Sequence, residues 1–544
     1  MTPSRTSPGY WSLFAVIVVL AAVLRFWALD MGLPHLMTRP DEEMILVETR
    51  SPATGRFDLQ YGIYPSAYIF LSWGWGEAGH ALMKTLGLHK GITYAQAIDE
   101  IPWRILLLLR SLSAFGGVAA VAAIMWFVRR EMGMRASLVA GALLAVSLIH
   151  VRDSHAAKPD VLMSLGVVLS LGVMAPLARI GSFARAGVTG MLIGLSMGMK
   201  YPAVLLLVPT YVLCVMSSQR PGWRRLFPAT AVVAGVTAAL AFTITSPDLV
   251  FNPQTRNKVL SIVVLVFPQA FPGVVVEAPK VQAASIGFQH PGSALDGYQF
   301  YYGFALRYGA GLAVALLLPL ALVWAFLSRQ ALALAAAIFG VTAFVVFGAS
   351  PALLSRYMTP IVPAFAIVLA GALAWAARRV VPQRASLVLT AVTLLIIAEP
   401  LWRSVQHDRI AAETDTRVLA SSWLRENAGG PGKVVIGGTV FWSWGEPWIP
   451  QPLELVRTGL DASSLEAAGV NWLVTHDHTV FASKMDPEVI AKLGDRLNLR
   501  AEFDPFRGPR EEARYDFQDA YYIPMAGFDV VSRPGPMIRI YEFH

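Results

Sequence analysis

The chain has 544 residues, 55% hydrophobic and 15% charged, with a net charge of +8 and a single cysteine, Cys214. A soluble domain carries roughly 25% charged residues, so the composition excludes one and points to a polytopic membrane protein. The Lys and Arg residues gather in short loops between apolar runs, which speaks for membrane topology and against nucleic acid, and one cysteine excludes an intrachain disulfide or a cysteine-based metal site.

The first apolar run, Trp11 to Leu29, is longer than a usual signal-peptide core and lacks a small-residue cleavage site. It reads as a retained anchor with the N-terminus in the cytoplasm. A loop follows, DMGLPHLMTRPDEEMILVETR, with the adjacent acids Asp41 and Glu42 after Pro40. Asp41, Ile45 and Glu48 fall at helical spacing, so Asp41 and Glu48 are expected on one helix face and Glu42 on another. Two readings of Asp41 stand side by side. Acids beside a span are costly without a function, yet Thr38-Pro40-Asp41 also suits a helix start.

Arg56 to Leu86 is aromatic and Gly-rich, as in one or two interfacial helices. Further spans are expected at about Ile101–Phe127, a short run up to His150, Val161–Leu177, Gly187–Met199, Val204–Met216, Leu226–Thr245, Tyr301–Phe326, Ala331–Phe347, Thr359–Ala376 and Ala385–Ala398. With about eleven transmembrane helices, the basic loops fall on one side: Arg129, Arg130 and Arg135; Arg179 and Arg185; Arg220, Arg224 and Arg225; Arg329; and Arg378, Arg379 and Arg384. A long outer loop is expected over Ser246–Phe300. From Trp402 onward charge rises and turn signals such as GGPG separate β-prone runs (KVVIGG, NWLVTH) from helical ones (Thr416–Asn427, Pro487–Leu493). The expected division is thus a transmembrane domain at 1–400 and a small extracytoplasmic α/β domain at 401–544.

Four outer-side clusters carry candidate chemistry: Asp41 with Glu42; Arg152, Asp153, His155, Lys158 and Asp160; Lys200; and Arg356. Arg and Lys suit a phosphate and a carboxylate suits an acceptor that loses a proton. Interfacial anchoring is the secondary reading of Arg356 and Lys200. Asp153 and Asp160, and likewise Ser154 and Lys158, fall at helical spacing and read as structural pairs. A lone His155 is weak ground for a metal. No cofactor is required by the sequence, and a divalent metal is compatible with it.

RPDEE, YGIYPSAY, HVRDSHAAKPDVLMSL, GLSMGMKYPAVLLLVP and SRYMTPIVPAFAIVLA occur in this order over roughly residues 10 to 400. In this ordered set the chain resembles the GT-C glycosyltransferases, the superfamily of protein O-mannosyltransferases and the lipid A aminoarabinose transferase. The C-terminal DTRVLASSWLRENAGGPGKVVI resembles the variable outer tails of bacterial relatives. The resemblance implies a polyprenyl-phosphate sugar donor, a lipid, glycan or protein acceptor, and transfer on the outer face of the cell (inner or plasma) membrane. It implies Asp41 as base or acceptor-positioning acid, with Glu42 beside it, and Lys200 and Arg356 as donor-phosphate contacts. Arg152, Asp153, His155, Lys158, Asp160 and Tyr64 (in YGIYPSAY) follow as further substrate or supporting residues. A transporter or flippase of a lipid-linked sugar and a non-catalytic relative are the rival readings; the lack of an internal repeat weighs against transport.

Overall fold

Ala, Leu and Val dominate the apolar stretches and favour helix, while Gly and Pro set the ends. The Pro102–Met132 helix shows both devices, with Pro102 in its first turn and Gly133 at φ 94° beyond its last. The computed structural model describes residues 8–56, 59, 62, 64–89, 91–219, 221–266, 295–350, 352–438 and 443–544. Tyr61 and Ile63 of YGIYPSAY, Arg220 and much of the expected outer loop (267–294) lie outside the described residues.

Among the described residues seven helices are long and apolar enough to cross a membrane, or nine if each of two bent pairs makes one span. Two further expected spans correspond to the shorter apolar helices Phe183–Met199 and Tyr201–Met216. The expected span Tyr301–Phe326 is not straight: Asp296–Gly309 and Leu312–Ser328 meet at 119°. Gly311 forms the corner at φ 110°, and Glu399 accepts the Leu312 N–H at 2.8 Å, satisfying a donor freed at the new helix start. The expected aromatic region contains one long helix, Ser66–Thr85. Phe183–Met199 packs backbone to backbone on Ala229–Thr245: a Cβ on Gly190 would stand 2.1 Å from the Ala234 carbonyl. Such small-residue seams suit lipid, where apolar burial gives helices little reason to associate.

Two apolar clusters position the first loop. The larger joins most of the long helices. In the second, Ile45 and Leu46 pack with Tyr68, Tyr94, Ile105 and Leu106, which docks the short Glu42–Glu48 helix on Pro102–Met132.

The C-terminal part is α/β. Its sheet comprises β1 (Lys433–Gly437), β2 (Glu454–Leu455), β3 (Trp472–Asp477), β4 (Leu497–Phe503) and β5 (Met537–Phe543), in the order β2-β1-β3-β5-β4. β2, β1 and β3 are parallel, while β5 runs antiparallel to β3 and β4. Alternation serves two helical layers: Val434, Ile436 and Val474 meet Ala420 and Leu424, whereas Val435 and Leu473 meet Leu465 and Leu493. Between β4 and β5 the chain leaves the sheet. Tyr521, Ile523 and Met525 join the core of the long helices. That excursion brings two C-terminal carboxylates to the first loop.

Candidate active site

Asp41 precedes the Glu42–Glu48 helix with left-handed backbone, φ 72° and ψ −10°. For a non-glycine residue this costs on the order of 1–3 kcal/mol and persists only when surroundings impose it. Its side chain caps no helical N–H. Instead Oδ2 accepts from the Tyr64 hydroxyl at 2.9 Å and from Arg356 Nη1 at 2.9 Å, and lies 3.7 Å from Lys158 Nζ. Burial pushes this carboxyl up, but Arg356, Lys158 and Tyr64 outweigh it and hold it below the usual carboxylate value. Lys158 is lowered to about 8 by burial and by the nearby Arg356 charge.

Around this group the charges alternate. Asp519 Oδ1 stands 3.8 Å from Arg356 and 4.0 Å from Lys158, and its Oδ2 lies 3.1 Å from Arg152 and 3.9 Å from Arg39. Asp153 Oδ1 accepts from Arg39 at 3.1 Å and from Arg152 at 3.0 Å, and the Thr359 hydroxyl donates to Oδ2. Asp516 accepts the Ser355 N–H at 2.9 Å and the Ser355 hydroxyl. Burial and Asp519 push the Asp516 carboxyl up to about 6. Several donors are left over: Lys158 Nζ, Arg356 Nε, and Arg39 Nε and Nη1 are buried without a hydrogen-bond partner among the described residues. Buried donors of this kind are costly unless an acceptor completes them. The cluster can therefore take an anionic ligand.

The structure brings Asp41, Tyr64, Lys158 and Arg356 into direct contact and sets Arg152 and Asp153 behind them. Lys200 does not touch Asp41; its ammonium lies 2.5 Å from Asp160 and 5.2 Å over the Tyr357 ring. Tyr357 directly follows Arg356, so this pair borders the same site. Asp153 and Asp160 do not share a helix face. One helix ends at Ser154 and the next begins at Asp160, because Lys158-Pro159 interrupts the ladder.

Glu42 stands apart from Asp41. It is fully buried, with Oε1 accepting from Arg110 Nε at 3.0 Å and from the Ala157 N–H at 2.7 Å, and Oε2 from Arg110 Nη2 at 2.6 Å. Arg110 also donates to the Leu29 and Met31 carbonyls and to Thr38. Both Glu42 oxygens are thus committed to holding the first loop and the Arg152–Asp160 loop on the Pro102–Met132 helix. The adjacent acids diverge because Asp41 stands before the helix in left-handed backbone while Glu42 is its first residue.

Sequence reasoning passed over Arg39, Asp516 and Asp519. Arg39 lies in the stretch already singled out. The only local signal for the last two is a pair of acids in the otherwise aromatic DFQDAYY.

Among the described residues one group, His155, His407 and Asp408, brings potential metal-ligand atoms within 4.8 Å of one another, all buried. The His155 ring nitrogens face the Val151 and Trp27 carbonyls at 2.9 and 2.7 Å. Those of His407 face Asp408 Oδ1 at 2.9 Å and the Tyr521 hydroxyl at 2.6 Å. Asp408 Oδ2 is the one ligand atom in the group without a hydrogen-bond partner, so an ion would have to displace these bonds.

The family model for dolichyl-phosphate-mannose-protein mannosyltransferase matches residues 106–251, which hold the Arg152–Asp160 loop and Lys200. No curated protein matches the chain. Among solved structures, ArnT from Cupriavidus metallidurans bound to undecaprenyl phosphate is 16% identical over 98% of both chains, with a TM-score of 0.53. ArnT from Cupriavidus metallidurans in the apo state is 16% identical over 98% of both chains, at 0.50. The archaeal oligosaccharyltransferase AglB from Archaeoglobus fulgidus, in complex with an inhibitory peptide and a dolichol-phosphate, is 12% identical over 86% of this chain and 69% of that one, at 0.48. The family match and the likeness to ArnT agree with the ordered motifs in the sequence: this is a polytopic membrane protein with the fold of the GT-C glycosyltransferases.

Proposed function

We propose that this protein moves a sugar from a polyprenyl-phosphate donor to an acceptor hydroxyl. The observation that carries the reading is the convergence of Lys158 and Arg356 on Asp41, with Arg39 drawn to the same cluster by Asp519, each cation having unused buried donors. When the bond from sugar to phosphate breaks, the departing polyprenyl phosphate gains negative charge. Preorganised cations offset that charge without reorganising. Asp41, fixed by Arg356, Lys158 and Tyr64, orients the acceptor oxygen toward the anomeric carbon, and a single displacement inverts that centre. Lys200, paired with Asp160, supports the donor side, and Glu42 holds the loops that carry the site. Transfer is placed on the extracytoplasmic face, with the N-terminus in the cytoplasm and residues 401–544 outside. Asp516 and Asp519 of that outer part help to order the cations.

ArnT binds undecaprenyl phosphate, which makes that lipid the natural probe. Lys158→Ala and Arg356→Ala are each expected to weaken its binding about 10- to 100-fold, from loss of a charge-assisted hydrogen bond of about 1.5–3 kcal/mol. Lys200→Ala should weaken it less, because its ammonium is already engaged by Asp160. Binding titrations on the purified protein check this. Unchanged affinity in both Lys158→Ala and Arg356→Ala would remove phosphate recognition from the site.

A further inference from the structure

We infer that Tyr521, reaching in from the C-terminal part, is a positioning residue that presents Arg39 to the donor phosphate, an assignment that rests on the glycosyl transfer proposed above. Arg39 lies over the Tyr521 ring, 3.8 Å from its centroid, and Arg152 stands 5.4 Å from the same centroid. Arg39 and Tyr521 are each 1% exposed. The Tyr521 hydroxyl shares a hydrogen bond with His407 Nε2 at 2.6 Å, and His407 Nδ1 lies 2.9 Å from Asp408 Oδ1. The ring is therefore fixed at its tip by the Ala385–Ala411 helix and packed into the core of the long helices.

A buried guanidinium needs its charge offset. Among the described residues the Arg39 side chain makes one hydrogen bond, from Nη2 to Asp153 at 3.1 Å. Its Nε and Nη1 have no hydrogen-bond partner there. The Tyr521 face accounts for this state. An aromatic face attracts a cation through its quadrupole without taking up the N–H donors, whereas a second carboxylate would take them in a fork. Arg417 shows the contrast. It too stands over a tyrosine, 4.8 Å from the Tyr522 centroid, yet Asp415 accepts from its Nε and Nη2, and the Trp444 and Met37 carbonyls accept from its Nη1. Arg417 is a structural clamp, while Arg39 keeps donors for a ligand.

Distances tie Arg39 to the anion site. Asp519 Oδ2 lies 3.9 Å from Arg39 Nη1, and its Oδ1 lies 3.8 Å from Arg356 and 4.0 Å from Lys158. One carboxylate therefore separates Arg39 from the two cations that meet Asp41. All three separations exceed hydrogen-bond length. A phosphate carries more acceptor oxygens than a carboxylate and can complete donors that Asp519 leaves open.

The test is a binding titration on the purified full chain, with undecaprenyl phosphate as probe and undecaprenol, which lacks the phosphate, as control. Arg39→Gln should weaken binding of the phosphate lipid about 10-fold, from loss of a charge-assisted contact. Tyr521→Met, which fills the core without a ring face, should weaken it about 5-fold, and Tyr521→Phe, which keeps the face, should stay within about twofold of wild type. Because Tyr521 acts through Arg39, the double variant Arg39→Gln with Tyr521→Met should bind within about twofold of Arg39→Gln alone. Undecaprenol binding should not change in any of them. Losses that multiply in the double variant, or an equal loss of undecaprenol binding, would overturn the inference in favour of a structural role. A Tyr521→Phe loss as large as that of Arg39→Gln would assign the effect to the hydroxyl and overturn it as well. Wild-type affinity in Arg39→Gln overturns it whether or not Tyr521→Met folds, and leaves the transfer standing where Lys158→Ala and Arg356→Ala still weaken binding. A wild type that binds undecaprenyl phosphate no better than undecaprenol overturns both readings.

Discussion

Asp41→Asn is expected to slow transfer by about 100-fold or more, the effect of misplacing reacting groups by about 1 Å. Asparagine keeps the volume of Asp41, tolerates left-handed backbone and can still accept from Tyr64. It removes the charge that holds Arg356 at 2.9 Å and draws Lys158 to 3.7 Å. Freed of that carboxylate, both cations should drift toward Asp519, which lies 3.8 Å from Arg356 and 4.0 Å from Lys158. That alternative partner should also limit the fall in melting temperature. Near-normal turnover would show that Asp41 is no part of the site.

Glu42→Gln should act through stability. Removing one partner of a fully buried, hydrogen-bonded pair leaves the other charge uncompensated, at a cost of about 3–5 kcal/mol. Here the stranded group would be Arg110, whose side chain is 0% exposed and otherwise reaches only carbonyls and Thr38. Thermal melting should show a large drop. The fraction that still folds should bind undecaprenyl phosphate normally, because Glu42 touches none of the unpartnered donors. A variant that melts like wild type but no longer transfers sugar would return Glu42 to the chemistry.

These two acids show what one-dimensional reading can and cannot reach. Their sequence position marked the first loop, but helical spacing put Asp41 on a helix face with Glu48, whereas Asp41 stands before the helix in left-handed backbone. Nothing local names Arg110 as the partner of Glu42, because that contact spans 68 residues. Local spacing misled for Asp153 and Asp160, where the helix breaks between them, and for Tyr301–Phe326, where Gly311 turns the chain. Asp519 was invisible, since its role depends on a C-terminal excursion that meets Arg152 across 367 residues.

The sequence by itself determined the membrane class, the helical stretches, the helix and strand alternation of the C-terminal part and the ordered motifs of the fold. Each follows from composition, apolar run length or short-range periodicity, which act within a few turns of chain. Only the tertiary structure decided which of two adjacent acids faces cations and which is clamped, and that C-terminal carboxylates complete the cluster. The physical reason is that burial and charge pairing are set by whatever the fold brings within a few ångströms, and here those partners come from segments far apart in the chain.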